Sequence, residues 1–413
     1  MSIAVETARV ALLGCGTVGR AFATLSRTTP PATQPLRITA ALVRDTTRVR
    51  PTDLPPLTED ARLILQSEPD VLVELLGGNE PARSLVLEAL HKRIPVVTAN
   101  KTLLAHHGAE LRDVAQRTGT PLLYEAAVIA GVPFLGTFGR RSRAASVTSL
   151  VGIVNGTSNF VLTRCDRDNV TIAEALADAQ RRGYAEPDPR DDVQGIDARD
   201  KLAVLLQHFA HVAVKLDRIE VRGLDAISRA QASHARELGG TIKPLVSADW
   251  TNNTVDAFVG PAFVPRPHPL ATVDGVENAI VLRSPGGRLI FQGPGAGPEV
   301  TAATVLDDVD EALSGSGGVP ARVEEGSVLT PSTGWLVTLD AARLPGATDV
   351  ADLLASHGLF ASRTTSTHSE GGREVRSLLL WPARRATVER ALAALCGAAG
   401  CTTSLLRALE VER

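Results

Sequence analysis

The densest group of residues that could do chemistry lies between Gly183 and Lys201. Several carboxylates in this segment could hold the ammonium group of a substrate while the lysine exchanges a proton with a nearby oxygen. Two plainer interpretations stay open. An acidic loop can simply be solvated, and a carboxylate four residues before a lysine on a helix commonly forms an ordinary ion pair. The six carboxylates are Glu186, Asp188, Asp191, Asp192, Asp197 and Asp200.

Lysine is rare in this chain, which makes Lys101 and Lys201 informative. Only five of the 43 basic residues are lysine. Arginine cannot lose its proton at working pH, so a retained lysine can mark a position that needs a titratable ammonium; chance retention explains a single lysine equally well. Acid–base work requires a lysine pKa below its usual ~10.4, through burial or a second cation. Lys101 could be that cation, could reach a cofactor or substrate carbonyl, or could be a solvated lysine at a helix start.

Proline positions predict the local structure of the acidic segment. Pro187 and Pro189 predict an extended loop, and a helix is expected from Ile196. Asp197 and Lys201 would then share one face of that helix.

A polar segment from Val154 to Phe160 could bind a small polar substrate, with Asn155 and Thr157 as the candidates. By itself the segment could equally cap a helix through Thr157 or Ser158. His208 falls roughly on the Lys201 face of the predicted helix, where a satisfied core histidine is the favoured interpretation.

A glycine-rich turn near the start of the chain predicts a dinucleotide site. The apolar run Arg9–Leu13 precedes it, and a helical pattern, Arg20–Arg27, follows. A strand, a GxGxxG turn and a helix place backbone N–H groups and a partial positive charge at a pyrophosphate. The alternative is a glycine-rich turn without a ligand. The candidate cofactor contacts are Gly14, Gly16, Thr17, Val18 and Gly19.

The end of the second predicted strand bears on the choice of cofactor. An acid there would bind a ribose 2′-hydroxyl, whereas a basic residue would accept a 2′-phosphate. Arg44 precedes Asp45, and Arg48 follows closely. This order favours NADP, with NAD as the alternative, because moving the strand end by one residue exchanges Arg44 for Asp45. Gly77 and Gly78, after a later strand, are further candidate cofactor contacts.

The alternation of elements predicts an α/β protein with three units. A Rossmann-type, doubly wound parallel sheet is expected over residues 1–131, and residues 294–318 are expected to return to it. Residues 132–293 are expected to form an α+β domain for substrate binding and dimerisation. Residues 332–413 are expected to form a small α+β tail. The joint is expected at 314–318. Predicted strands of the first unit are Arg9–Leu13, Leu36–Val43, Asp70–Leu76, Ile94–Thr98 and Pro121–Tyr124. Predicted helices include Pro81–Lys92, Ala109–Arg117, Ile172–Arg182, Ile196–Val214 and Glu299–Leu313.

Composition limits the class of protein. The chain has 413 residues, 44% hydrophobic residues and a net charge of −3. These values fit a globular protein that binds neither nucleic acid nor membrane. Four scattered cysteines predict reduced thiols. With no leader segment recognised, a cytoplasmic location is expected.

The acidic segment resembles the homoserine dehydrogenase family. The signature of that family is matched in this segment by Gly183, Asp188-Pro189, Asp192-Val193, Gly195, Asp197 and Lys201. Other family motifs occur in order over about residues 9–310: the glycine loop, Gly77-Gly78, Glu80-Pro81, Asn100-Lys101, Tyr124-Glu125-Ala126, Asn155-Gly156-Thr157-Ser158-Asn159 and Gly293-Pro294-Gly295-Ala296-Gly297. Gly297 is expected to contact the cofactor.

The resemblance implies reversible reduction of L-aspartate 4-semialdehyde to L-homoserine with NAD(P)H, within threonine and methionine synthesis. Lys201 would exchange the proton at the carbonyl oxygen, and Glu186 would bind the substrate ammonium. Asp192 and Asp197 would orient Lys201 and substrate. Lys101 would stand between nicotinamide and substrate.

The resemblance also implies a sodium ion on backbone carbonyls and a regulated tail. The carbonyls map to Glu125, Val128, Ala130 and Val132, although Ile129 and Ala130 replace residues that are usually glycine. The tail resembles an ACT domain with threonine as its effector. A homodimer or homotetramer is expected.

Two other functions fit the residues. A different amino-acid dehydrogenase could share the cofactor domain and the lysine–carboxylate site. A sensor that binds NADP under control of the tail is the second, but it would not need a lysine that transfers protons.

Overall fold

The structure is a computed structural model that describes residues 7–29, 34–50, 53–139, 146–315, 318–370 and 372–409. It contains a parallel sheet, a large mixed sheet, and helices on both, so the predicted α/β class with a Rossmann-type domain is confirmed. Among the described residues, no helix is long and apolar enough to cross a membrane.

The first unit is a six-stranded, fully parallel sheet with the order β3-β2-β1-β4-β5-β6. The strand order reverses beside β1, and ligands bind at the carboxyl ends of the strands at such a switch point. The strands are β1 (Ala8–Leu13), β2 (Leu36–Leu42), β3 (Leu57–Thr58), β4 (Val71–Glu74), β5 (Val96–Thr98) and β6 (Leu122–Leu123), and the helices are α1 (Thr17–Thr28), α2 (Ala61–Gln66), α3 (Ala82–His91) and α4 (Lys101–Thr118).

Two glycines are required by the tight turn between β1 and α1. Gly14 has a φ of 98°, and a Cβ there would lie 2.6 Å from the Leu75 carbonyl oxygen. A Cβ on Gly19 would lie 2.2 Å from the Gly14 carbonyl oxygen, so α1 can approach β1 only without that side chain. Any larger residue at either position would displace α1 from the sheet.

The middle unit is an antiparallel sheet with the order β13-β12-β7-β10-β11, on which α6, α9 and α10 pack. Its strands are β7 (Ser149–Ile153), β8 (Val212–Ala213), β9 (Glu220–Val221), β10 (Gly240–Thr251), β11 (Thr254–Pro265), β12 (Glu277–Ser284) and β13 (Gly287–Pro294). Its helices are α5 (Leu135–Gly139), α6 (Gly156–Asp168), α7 (Ile172–Arg181), α8 (Arg190–Val193), α9 (Ile196–Leu205) and α10 (Arg229–Glu237). The chain then returns to the first unit as α11 (Pro298–Leu313), which packs on α1.

The tail is a βαββαβ unit whose sheet continues the middle sheet. Its main strands have the order β20-β16-β19-β17, and β20 pairs in parallel with β11 at Ala262 and Phe263. Arg407 on β20 joins Glu220 and Asp256 of the middle unit by ion pairs of 2.9 and 3.2 Å. The elements are β14 (Glu324–Glu325), β15 (Ser327–Val328), β16 (Ser332–Ala341), α12 (Ala347–Ser356), β17 (Ala361–Thr364), β18 (His368–Glu370), β19 (Arg373–Arg384), α13 (Arg385–Ala399) and β20 (Thr402–Ala408).

Three predicted elements differ from the structure, namely two helices and the acidic segment. The helix expected from Ala109 begins at Lys101, because the Asn100 side chain caps it by accepting the N–H of Leu103. The helix expected to reach Val214 ends at Leu205 and passes through a π-helical turn over Leu206–Ala210. The predicted joint at 314–318 lies partly outside the described residues, since 316 and 317 are not described.

The third difference concerns the acidic segment, which was expected to be extended up to Gly195. Residues Arg190–Val193 instead form one helical turn, α8, with Pro189 at its N-cap. Proline is tolerated there because the first N–H groups of a helix need no partner within it. Asp192 is therefore presented from a helical turn.

Candidate active site

Lys201 lies in the second turn of α9 and is buried, with 11% of its side chain exposed. Its Nζ donates to the Val154 carbonyl oxygen at 2.7 Å and lies 3.1 Å from Asp197 Oδ2. An ammonium has three N–H donors. Among the described residues these two partners are the only ones found for Nζ, so one N–H of the ammonium is left over.

Asp197 joins two lysines that are far apart in sequence. Its Oδ1 lies 3.0 Å from Lys101 Nζ, and its Oδ2 pairs with Lys201. Burial alone would raise the pKa of Asp197, but the ammonium groups of Lys201 and Lys101 hold it below its ordinary value. Asp197 in turn raises the pKa of Lys101. The carboxylate therefore stays ionised, and Lys101 stays cationic beside it.

Asn155 holds the carboxylates in place from the start of α6. Its Oδ1 caps the helix by accepting the N–H of Ser158 at 2.8 Å, so the capping residue is Asn155 rather than Thr157 or Ser158. Its Nδ2 donates to Asp192 at 2.7 Å and to Asp197 at 2.9 Å. Burial raises the pKa of Asp192, and the hydrogen bond from Asn155 opposes that rise.

A polar cleft of about 420 Å³ opens beside this cluster. Lys101 and Thr102 line it from the first unit, and Glu186, Asp192 and Asp197 line it from the middle unit. Glu186 is exposed, and no hydrogen bond or ion pair of its carboxylate is found within the described ranges. The cleft can thus offer a free carboxylate to an ammonium group.

Thr157 lies at the edge of the cleft but is already engaged, because its hydroxyl donates to the Tyr184 carbonyl oxygen at 2.6 Å. His208 is half-buried, shares a hydrogen bond of 2.9 Å with the Tyr124 hydroxyl, and has its pKa lowered to about 3 by desolvation. It is therefore a neutral core histidine.

A second cleft, of about 350 Å³, lies at the switch point of the parallel sheet. Gly16 is the N-cap of α1 and makes no side-chain cap, which leaves the first N–H groups of the helix for an anion. A Cβ on Gly16, Gly77 or Gly78 would meet no atom within 4 Å, so the backbone is open to a ligand at all three positions. This space and these donors fit a dinucleotide pyrophosphate. The lining residues are Gly14, Cys15, Gly16, Thr17, Arg20, Leu42, Val43, Arg44, Arg48, Val49, Arg50, Leu75 and Leu76.

The residues after β2 lie at the end of the cleft where NADP and NAD would differ. β2 ends at Leu42, and Arg44 is exposed and lines the cleft together with Arg48. Asp45 is engaged elsewhere, since its Oδ1 accepts the N–H of Thr47 at 2.8 Å and the Thr47 hydroxyl at 2.6 Å. Its carboxylate is thus held in a local turn, and the cleft presents arginine at this end.

Two further residues predicted to contact the cofactor, Val18 and Gly297, are not among the residues that line this cleft. Val18 is in the first turn of α1 but is not among the residues lining the cleft. Gly297 is the N-cap of α11, with a φ of 138°. The loop before it is fixed to the segment after β6, because Ala130 donates its N–H to the Gly295 carbonyl oxygen at 3.2 Å.

The segment expected to hold sodium is buried and well ordered by hydrogen bonds. The Glu125 carboxylate accepts N–H groups of Phe134, Leu135 and Gly136, so only its backbone carbonyl could face an ion. The Thr304 hydroxyl donates to the Ala130 carbonyl, which retains one further lone pair. Val128 and Val132 are buried. No cluster of three acidic, histidine or cysteine side chains suited to a metal exists among the described residues.

Sequence reasoning missed two residues of this region. The Val154 carbonyl holds Lys201, but a backbone acceptor leaves no signal in a sequence. Glu74 is fully buried at the end of β4 and binds the loop before Lys101. A single acid in the otherwise apolar strand Val71–Glu74 was a signal that could have been used.

Comparison with known proteins identifies the family. The family model described as "Homoserine dehydrogenase, NAD binding domain" matches residues 14–125, and "Homoserine dehydrogenase" matches 133–309. A homoserine dehydrogenase of Lactococcus lactis is 38% identical over 314 residues, which is 73% of this chain and 73% of that protein. The chain belongs to the homoserine dehydrogenase family.

Solved homoserine dehydrogenases share the fold. The enzyme from Thiobacillus denitrificans is 30% identical and covers 98% of this chain and 99% of its own, with a TM-score of 0.89. A hyperthermophilic archaeal homoserine dehydrogenase in complex with NADPH, 24% identical, covers 75% of this chain and 98% of its own, with a TM-score of 0.64. As a homoserine dehydrogenase, the chain is an NAD(P)-dependent oxidoreductase of amino-acid biosynthesis that interconverts L-aspartate 4-semialdehyde and L-homoserine.

Proposed function

We propose that this homoserine dehydrogenase uses Lys201 as the proton donor and acceptor at the substrate oxygen. The observation that carries the proposal is the buried Nζ of Lys201, held by Val154 and Asp197 with one N–H left over. In the reductive direction, the ammonium gives its proton to the oxygen that becomes the hydroxyl of homoserine. In the oxidative direction, the amine takes that proton back.

The other residues of the polar cleft bind and orient the substrate in this proposal. Glu186 pairs with the substrate ammonium through its exposed carboxylate. Asp192 and Asp197, tied together by Asn155, fix the position of the Lys201 ammonium. Lys101 remains cationic beside Asp197, and in this proposal it would stand between nicotinamide and substrate. Thr157 supports the cleft wall at Tyr184.

NADPH is the cofactor that we propose, with NAD as the weaker alternative. When bound, it supplies the hydride for the aldehyde carbon of the substrate. The glycine loop, including Val18, and Gly77-Gly78 would receive its pyrophosphate region, and Gly297 would adjoin it. Support for the 2′-phosphate comes from Arg44 and Arg48 at the cleft and from the engagement of Asp45 with Thr47.

The test of the substrate is a spectrophotometric assay of the wild-type chain. We expect NADPH to form with L-homoserine and not with aspartate, lysine or alanine. Formation with one of those amino acids in place of homoserine would indicate a different dehydrogenase. Cofactor binding without turnover of any of them would favour the sensor.

Replacement of Arg44 by serine tests the cofactor preference. Loss of a guanidinium that faces a 2′-phosphate removes a charge-assisted hydrogen bond, so we expect the KM for NADP to rise by about 10-fold or more. The KM for NAD should change less than about twofold. Arg37→Ser, at an exposed position on β2, is the matched control. Equal changes in the two KM values would show that the 2′-phosphate is bound elsewhere.

We also propose that the tail is an ACT-like regulatory domain for threonine. Its βαββαβ order of strands supports this, as does the turn after β16, where Arg376 donates to the Pro345 carbonyl oxygen at 3.0 Å. Because β20 continues the middle sheet through β11, an effector at the tail could bias the catalytic unit.

Replacement of Gly346 by valine tests this role of the tail in the full chain. A Cβ on Gly346 would lie 2.9 Å from Asp349 Oδ2, so the Asp349 carboxylate would have to move away and give up the hydrogen bond that it accepts from the Gly346 N–H at the start of α12. We expect wild-type activity to fall on titration with L-threonine, and the variant to need at least tenfold more threonine for half inhibition. Ser356→Ala, at the other end of α12, should titrate like wild type. A wild-type enzyme insensitive to threonine would contradict the proposal.

Two further proposals rest mainly on the family. A sodium ion would be held by the carbonyls of Glu125, Val128, Ala130 and Val132, where it would fix the segment that contacts the Gly295 loop. The chain would assemble as a homodimer or homotetramer through the middle unit.

A further inference from the structure

Glu74 is a fully buried acid at a position where a parallel sheet ordinarily carries apolar residues. It ends β4, after Val71, Leu72 and Val73, which are equally buried. A carboxylate so placed requires hydrogen bonds to offset the loss of hydration. Glu74 has them: its Oε1 accepts the N–H of Leu76 at 2.8 Å, and its Oε2 accepts the Thr98 hydroxyl at 2.6 Å.

The direction of the hydrogen bonds around Glu74 is fixed by its neighbours. Thr98 Oγ1 accepts the Asn100 N–H at 3.0 Å, so the Thr98 proton is committed to Glu74. Asn100 Nδ2 donates to Glu74 Oε1 at 3.3 Å and to the Gly78 carbonyl oxygen at 2.7 Å. Every partner of the carboxylate that the described residues provide is a donor. The anionic form therefore matches this environment, although burial raises the pKa of Glu74.

These bonds join the two loops that border the proposed sites. One loop follows β4 and carries Leu76, which lines the dinucleotide cleft, and Gly78. The other follows β5 and carries Asn100, the cap of α4. The first residue of α4 is Lys101, which pairs with Asp197. The Glu74 carboxylate binds both loops, which are also joined directly by the bond from Asn100 to Gly78.

We propose that Glu74 is a positioning residue for the reaction, because its carboxylate fixes the loop after β4 against the Asn100 cap and thereby sets Lys101 relative to the dinucleotide cleft. The inference rests on the proposed function of the Lys101–Asp197–Lys201 cluster. It assigns Glu74 no contact with substrate or cofactor.

If Glu74 had a purely structural role, its variants would lose stability, while kcat per folded molecule and the Kd for NADPH would stay unchanged. Removing one partner of a buried hydrogen-bond network leaves the other groups unsatisfied and lowers stability. Glu74→Gln keeps the shape but turns one acceptor oxygen into an NH₂ group that faces donors. The hydrogen bonds from Glu74 to the two loops would weaken, although the apolar surroundings of Glu74 would remain filled and the direct bond from Asn100 to Gly78 would remain.

The experiment compares Glu74→Gln and a matched pair at Thr98 with wild type. Thr98→Val removes the hydroxyl that holds Glu74, whereas Thr98→Ser keeps it. For Glu74→Gln and Thr98→Val we expect kcat for homoserine oxidation to fall at least tenfold and the Kd for NADPH, measured by fluorescence titration, to rise at least threefold. Thr98→Ser should stay within about twofold of wild type. Asp166→Asn, which breaks an ion pair with Arg236 in the middle unit, should leave both constants unchanged.

The outcomes separate this inference from the proposed function. Wild-type turnover of homoserine is measured first and reports on the function, whereas only the ratio of variant to wild type, with the NADPH titration, reports on Glu74. Wild-type kcat and Kd in Glu74→Gln would overturn the inference. It would also be overturned if both variants lowered the thermal unfolding temperature while kcat per folded molecule and Kd stayed unchanged.

Discussion

Replacing Lys201 by alanine is expected to reduce kcat for homoserine oxidation by about three orders of magnitude, within the range that general acid–base catalysis contributes. The ammonium that exchanges the proton is lost, while the cleft at the glycine loop is untouched. The Kd for NADPH, measured by fluorescence titration, should therefore change less than about twofold. Stopped-flow measurement of the hydride-transfer rate would assign the loss to the chemical step.

Two further variants make this prediction specific. Lys201→Arg keeps a positive charge but cannot release the proton, so it should be nearly as inactive as the alanine variant. Lys215→Ala, at an exposed lysine of the middle unit, should keep wild-type kcat. An arginine variant with substantial activity would mean that Lys201 acts only by its charge.

Replacing Asp197 by asparagine should lower kcat/KM for homoserine about 100-fold. The ammonium groups of Lys101 and Lys201 would lose the carboxylate between them, and truncating one partner of a buried ion pair typically costs about 3–5 kcal/mol. Because Asp197 raises the pKa of Lys101, its removal lowers that pKa. Since the proposal requires Lys101 in its cationic form, the alkaline limb of the pH profile for semialdehyde reduction should move to lower pH.

Asp178→Asn is the matched control for this variant. Asp178 has 13% of its side chain exposed and pairs with Arg164 and two other arginines, away from the two lysines. Its replacement should lower stability without moving the pH profile. An Asp197→Asn enzyme with an unshifted alkaline limb would show that Lys101 does not titrate in that limb.

Local patterns in the sequence were sufficient for the dinucleotide-binding half and for the Asp197–Lys201 pair. The glycine loop is read from contiguous residues, and an acid and a lysine four apart meet on any helix. The parallel order of the first sheet also follows from the alternation of short apolar runs and helical patterns. These features depend on neighbours in sequence, and for that reason they could be predicted.

The features that depend on tertiary packing could not be read from the sequence. Lys101 reaches Asp197 only because α4 packs against α9 across the two units. The sequence predicts Asn155 as a substrate-binding residue and Thr157 or Ser158 as the alternative cap, whereas Asn155 is itself the cap and also binds two carboxylates. The cap by Asn100 moved the start of α4 to Lys101, and Pro189 starts a helical turn where proline had predicted an extended loop.

The most direct test of the central claim is a crystal structure of the wild-type chain with L-homoserine and NADP bound. We predict that Lys201 Nζ lies within about 3.2 Å of the homoserine hydroxyl oxygen, at hydrogen-bond distance for proton transfer. A complex in which Lys201 Nζ is turned away from the bound homoserine, with another side chain at that oxygen, would contradict the account.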